Sequence, residues 1–113
     1  MADILEIQVD LSGSKRYEKM YKLEGSDFIF DFFSNAVDGR WYLSIYTANR
    51  VPIKGCMGIR LVKDSLLLRR VTDLNRPKGD LLVISEVEED PSSKSLGRNS
   101  SLMYIPKEII DGL

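Results

Sequence analysis

Apolar and polar residues alternate with a period of two along much of this chain, a pattern that predicts half-buried strands rather than helices. In ILEIQVDL, Leu5, Ile7, Val9 and Leu11 fall on one face and Glu6, Gln8 and Asp10 on the other. Ser12-Gly13-Ser14 then turns the chain, and KRYEKMYKL follows with Tyr17, Lys19, Tyr21 and Leu23 in step, so a second strand is expected to pair back on the first as a hairpin. A helical reading of that segment competes, because Tyr17, Met20, Tyr21 and Glu24 approximate one helical stripe. The β-favouring tyrosines and the short turn before them favour the strand.

After Gly25-Ser26, DFIFDFF places Phe28, Phe30 and Phe32 on one face with Ile29 and Phe33 opposite. The turn-forming SNAVDGR, with Asp38-Gly39, predicts a hairpin from DFIFDFF into RWYLSIYT. In that next strand Trp41, Leu43, Ile45 and Thr47 share one parity and Tyr42, Ser44 and Tyr46 the other. The first set is the expected core face, so two large tyrosines fall on the nominally outer face.

The later segments alternate less cleanly. VPIKGCMGIRLV has Pro52 near its start and glycines at 55 and 58, which predicts an edge strand or one broken by bulges. SLLLRRV fits a strand or one helical turn, LNRPKGD is a turn, and DLLVISEVEED is a strand whose Leu82, Ile84 and Val87 lead into an acidic patch. Residues 88–101 are polar and serine-rich and read as a long exposed loop. LMYIP makes a closing strand, and KEIIDGL, residues 107–113, a tail or single helical turn. About seven short strands with close turns predict an all-β fold, a small antiparallel β-barrel or β-sandwich with at most one or two short helical turns. Trp41, Leu43, Ile45 and Tyr104 are the candidate core residues.

Composition narrows the picture. With 113 residues, 43 % hydrophobic and 29 % charged, the chain is expected to form one globular domain over residues 1–113, with a core that needs no metal or disulfide. The N-terminus does not read as a signal peptide, and no apolar run approaches the roughly 20 residues that span a bilayer. Synthesis in the cytoplasm and no membrane partner are expected. Basic and acidic residues number 16 and 17, so no global field favours nucleic acid.

Candidate chemistry is sparse. The chain has no histidine and a single cysteine, Cys56, which excludes an intrachain disulfide, multi-thiolate metal sites and the commonest general base. A structural role is expected for Cys56, since no histidine is present to lower its pKa. Glu86, Glu88, Glu89 and Asp90 read as a solvated strand end rather than as an acid-base pair or calcium site. Ser92, Ser93 and Lys94 lie in the presumed loop. No nucleotide or zinc motif occurs, and no cofactor is expected. One alternative has substance: a small barrel binding single-stranded nucleic acid through Tyr42 and Tyr46 with Lys63, Arg69, Arg70, Arg76 and Lys78. The net charge of −1 counts against it.

A longer ordered pattern runs through Gly39, Trp41, Leu43, Ile45 and Tyr46, then Ile53 and Gly55, Leu66 and Leu67, Pro77, Gly79 and Leu81. It continues through Asp90-Pro91, Leu96-Gly97, and Leu102, Tyr104, Ile105 and Pro106. Over residues 27–106 this resembles the phage baseplate plug family typified in a cyanophage with a contractile tail. It departs from that family at Thr47-Ala48-Asn49, where an acidic residue is expected, and in the KEIIDGL tail. The resemblance implies a non-enzymatic structural component of a phage or prophage tail baseplate or hub, located in the virion. Its implied partners are hub, spike or tube subunits or a second copy of itself. Tyr42 and Tyr46 then become candidate assembly contacts, because tyrosine suits surfaces where an apolar ring and a wet hydroxyl are both useful.

Overall fold

The structure is a computed structural model that describes residues 4–9, 15–35, 37, 39–85 and 100–112. Among the described residues seven strands and one short helix follow in the order β1 (Leu5–Ile7), β2 (Arg16–Leu23), β3 (Ser26–Ser34), β4 (Trp41–Thr47), β5 (Ile59–Arg60), β6 (Asp80–Ser85), β7 (Ser100–Ile105) and α1 (Lys107–Asp111). They form two antiparallel sheets, ordered β1-β7-β6 and β2-β3-β4-β5. The fold is all-β, and of the two expected architectures it is the two-sheet one: the sheets do not close into a barrel. The chain passes between them through residues 61–67, where Leu61 N donates to Trp41 O, Asp64 N to Val83 O and Leu67 N to Leu81 O.

One expectation is overturned. β1 does not pair with β2; it lies antiparallel to β7, with Ile7 opposite Leu102, and β2 pairs with β3 along its whole length. The reason is the turn at Glu24-Gly25, whose φ angles of 49° and 86° match the left-handed pair that a tight hairpin requires. That turn aligns Tyr17 with Phe32 and Tyr21 with Phe28; the Tyr17 ring meets Phe32 at a centroid distance of 6.2 Å, and the Tyr21 ring meets the diagonal Phe30 at 5.1 Å. Aromatic cross-strand pairs of this kind stabilise a sheet by up to about 1 kcal/mol each. Lys19, between the two tyrosines in the same parity, stays exposed and places its ammonium 5.5 Å from the Tyr21 ring centroid.

β3 and β4 form the hairpin that SNAVDGR predicts, with Phe30 opposite Ile45 and Phe32 opposite Leu43. The VPIKGCMGIRLV segment is a broken edge: Tyr46 bridges Pro52, the backbone turns through positive φ at Gly55 and Gly58, and β5 resumes beside β4. SLLLRRV is neither strand nor helix but a set of turns. Along β6 the buried parity is Leu81 and Val83, while Ile84 is exposed. β7 is the central strand of its sheet, not an edge. Of the segment expected as a loop, Ser100 and Ser101 belong to β7, and residues 88–99 lie outside the described residues, as do Glu86, Glu88, Glu89, Asp90, Ser92, Ser93 and Lys94.

The core lies between the sheets. One apolar cluster joins Phe30, Phe32, Trp41, Leu43 and Ile45 from the larger sheet to Ile7, Leu81, Val83, Leu102 and Tyr104 from the smaller. Trp41 is 1 % exposed, and Leu43, Ile45 and Tyr104 are fully buried. The Trp41 indole N–H finds no acceptor among the described residues. Its contribution is therefore the burial of a large apolar ring, reduced by the desolvation of that donor.

Candidate assembly interface

The outward parity of the four-stranded sheet builds a continuous surface in three rows. The first runs Arg16, Phe33, Tyr42, Arg60 across β2, β3, β4 and β5. The second runs Glu18, Asp31, Ser44, and the third Met20, Ile29, Tyr46, with Pro52 bridging Tyr46. Strand alternation puts these residues on one face, because residues two apart must share it, and the pairing register sets them in rows.

The rows differ in chemistry. In the first, Tyr42 stacks on Phe33 with centroids 5.8 Å apart and planes inclined by 15°. In the second, Arg16 grips the nearly buried Asp31 with both ends of its guanidinium, at 3.1 and 2.6 Å. Ser44 Oγ accepts from Gly58 N at 2.9 Å. Arg50, held at a positive φ of 62°, reaches Glu18 at 2.6 Å. That hydrogen bond lowers the Glu18 carboxyl below its usual range, and the hydrogen bond to Asp31 raises the already basic Arg16. The third row combines the buried Ile29 with Met20, which is 48 % exposed, and with Tyr46. Both tyrosines are half-buried, so each offers part of a ring for a further contact. Aromatic rings, Met and Arg around a satisfied polar centre match the composition of protein–protein interfaces.

The basic residues named for nucleic acid are not gathered on this face. Arg76 is turned inward, where it donates to four backbone carbonyls: Nε to Pro77 O, Nη1 to Leu68 O and Val71 O, and Nη2 to Gly79 O, at 2.7 to 3.0 Å. It fastens the 68–79 loop. Arg69, Arg76 and Lys78 line one groove, whose wall includes neither Tyr42 nor Tyr46. The groove cations and the two tyrosines named for nucleic acid are therefore not brought together at one site.

Sequence patterning missed a second polar cluster. The Tyr104 hydroxyl donates to Glu24 Oε2 at 2.5 Å and accepts from Gly79 N at 2.8 Å, and Lys107 N also donates to Glu24. Burial, and secondarily the Glu24 carboxylate, raise the Tyr104 hydroxyl above its usual pKa. The cluster ties the β2–β3 turn to β7 and to the start of α1. Gly79 admits this approach because a Cβ there would lie 2.0 Å from Ile105 O and 2.8 Å from the Tyr104 oxygen. Cys56 is buried, and its burial pushes the thiol up to about 11. Among the described residues no cluster of three or more Cys, Asp or Glu could hold a metal ion, and no helix is long and apolar enough to cross a membrane.

Comparison of the chain with curated proteins found no match. A family profile, that of the cyanophage baseplate Pam3 plug gp18, matches residues 4–107, from the residue before β1 to the first residue of α1. The match takes in every strand of both sheets, and the chain belongs to this baseplate plug family.

Proposed function

We propose that this protein is a plug-like structural subunit of a phage or prophage tail baseplate or hub, a single domain that acts by packing against other tail proteins and performs no catalysis. The observation that carries this reading is the family match from residue 4 to residue 107. The three-row outer face of the larger sheet supports it, since it offers stacked aromatics and an apolar row around charges that are already paired within the chain. Tyr42 and Tyr46 are the contacts assigned to hub, spike, tube or like subunits. The finished protein then resides in the virion tail after synthesis in the host cytoplasm. The internal use of the Arg76 guanidinium and the near balance of charge weigh against a nucleic-acid-binding role.

The test is a virion-incorporation assay on the Tyr42→Ala/Tyr46→Ala double variant in a phage lacking the wild-type gene. The expected result is a soluble, folded protein whose presence in purified tails drops at least about tenfold, equivalent to the loss of about 1.4 kcal/mol of contact free energy. Normal incorporation of a folded double variant would remove the two tyrosines from the interface.

A further inference from the structure

A groove beside α1 concentrates four cations, of which Arg76 and Lys107 are engaged within the fold and, among the described residues, Arg69 and Lys78 are not. Its larger depression, about 600 Å³, sets Arg69, Arg76, Lys78 and Lys107 against Asp80 and Asp111. A neighbouring depression of about 520 Å³ shares Arg76, Lys78 and Lys107 and extends the groove to Leu74, whose side chain is 99 % exposed.

The two carboxylates are already engaged. Asp80 Oδ1 accepts from the Leu68 and Leu81 amides, each at 2.7 Å, and Asp111 pairs with Lys107 one helical turn earlier. Arg76 has its own four backbone acceptors and contributes a fixed positive charge. Arg69 and Lys78 are exposed and make no ion pair or hydrogen bond among the described residues. The larger depression sets four cations against two carboxylates, and the neighbouring one adds Asp73, which accepts from the Lys54 and Asn75 amides, so the whole groove carries an excess of one positive charge in a chain whose net charge is −1. Leu66 and Ile110 add apolar surface to the same wall.

The geometry points to this groove as a docking site for a short acidic peptide segment of a partner protein, with carboxylates between Arg69 and Lys78 and an aliphatic side chain against Leu66 and Ile110. Charge complementarity selects the acid. Among the described residues no aromatic side chain on which bases could stack lines the groove, which selects a peptide over a nucleic-acid strand. The site shares no residue with the three-row sheet face, so either assignment can fail alone.

The test titrates the full chain into fluorescein-labelled acetyl-Glu-Glu-Leu-Glu-Glu-amide and follows anisotropy. Saturable binding is expected at about 50 mM salt, weakening steeply towards about 500 mM as the Debye length shortens. Arg69→Glu/Lys78→Glu should weaken it by about tenfold or more. Lys19→Glu/Lys22→Glu, the same charge change on exposed positions of β2, should change it by less than about twofold. All four substituted residues are exposed, and melting curves check that both variants fold. The proposal is overturned if the peptide fails to saturate the wild-type chain, if both variants weaken it alike, if the all-glutamine peptide binds equally, or if a thymidine oligonucleotide binds more tightly.

Discussion

Replacing Tyr104 with phenylalanine isolates the polar contribution of a residue that otherwise looks like core filler. The ring is kept, so the apolar transfer term is nearly unchanged and the missing hydroxyl leaves only a small gap. What is lost is the bond from Gly79 N, at 2.8 Å, and the bond to the Glu24 carboxylate. Gly79 is buried, and leaving its amide without an acceptor costs about 1–3 kcal/mol. The charge-assisted bond to Glu24 falls at the low end of the range of about 1.5–3 kcal/mol, because Glu24 is half-buried and water can replace the donor. The two effects share one hydroxyl and are not fully additive, so the expected loss is about 2–4 kcal/mol. Urea unfolding followed by Trp41 fluorescence reads this as a lower midpoint at constant slope, and native-state hydrogen exchange should show the Gly79 amide losing protection. Destabilisation below about 0.5 kcal/mol, with Gly79 protection intact, would refute the claim that this hydroxyl joins the two sheets.

Two further outcomes follow from the same polar interior. Arg76→Lys keeps the charge but cannot direct donors at four carbonyls, so it should cost about 2–4 kcal/mol in the same assay; an unchanged midpoint would show that the 68–79 loop holds itself. Because burial raises the Cys56 thiol to about 11, iodoacetamide at about pH 8.5 should label it only as fast as the protein opens, the unfolded thiol having its ordinary pKa near 8.5. The unfolded chain then releases its thiol proton first, so this group's stabilisation is complete below about pH 8.5 and is lost as pH rises through about 11. Labelling of the native protein at the rate of the denatured one would place Cys56 outside the core.

Local patterning and tertiary contact divide the explanation of this molecule between them. The β3–β4 hairpin, its inward Trp41, Leu43 and Ile45, the turn at Pro77 and the helical turn after Pro106 are all legible from alternation and turn chemistry, because each depends on residues near one another in the chain. The same holds for what the chain lacks: no histidine and no second cysteine can be read without coordinates. The ordered series of glycines, prolines and strand residues also carried the family resemblance before any fold was known.

Pairing between distant segments was not legible. Alternation marks which face of β1 is apolar, yet it carries no information on whether β2 or β7 supplies the neighbouring strand, since either presents a suitable apolar face. The tight Glu24-Gly25 turn joins β2 to β3, and β1 goes to the opposite sheet. Nor could charge counting distinguish Arg76, whose donors are spent on carbonyls of its own loop, from Arg69 and Lys78, which face the groove. The outward tyrosines show the same division. Period-two alternation placed Tyr42 and Tyr46 on the outer face, but only packing across the sheet set Tyr42 against Phe33, beside Arg16 and Arg60, and Tyr46 against Ile29 and Pro52. A strand's own sequence specifies which side each residue takes; what meets it on that side is decided by neighbours that are distant in the chain.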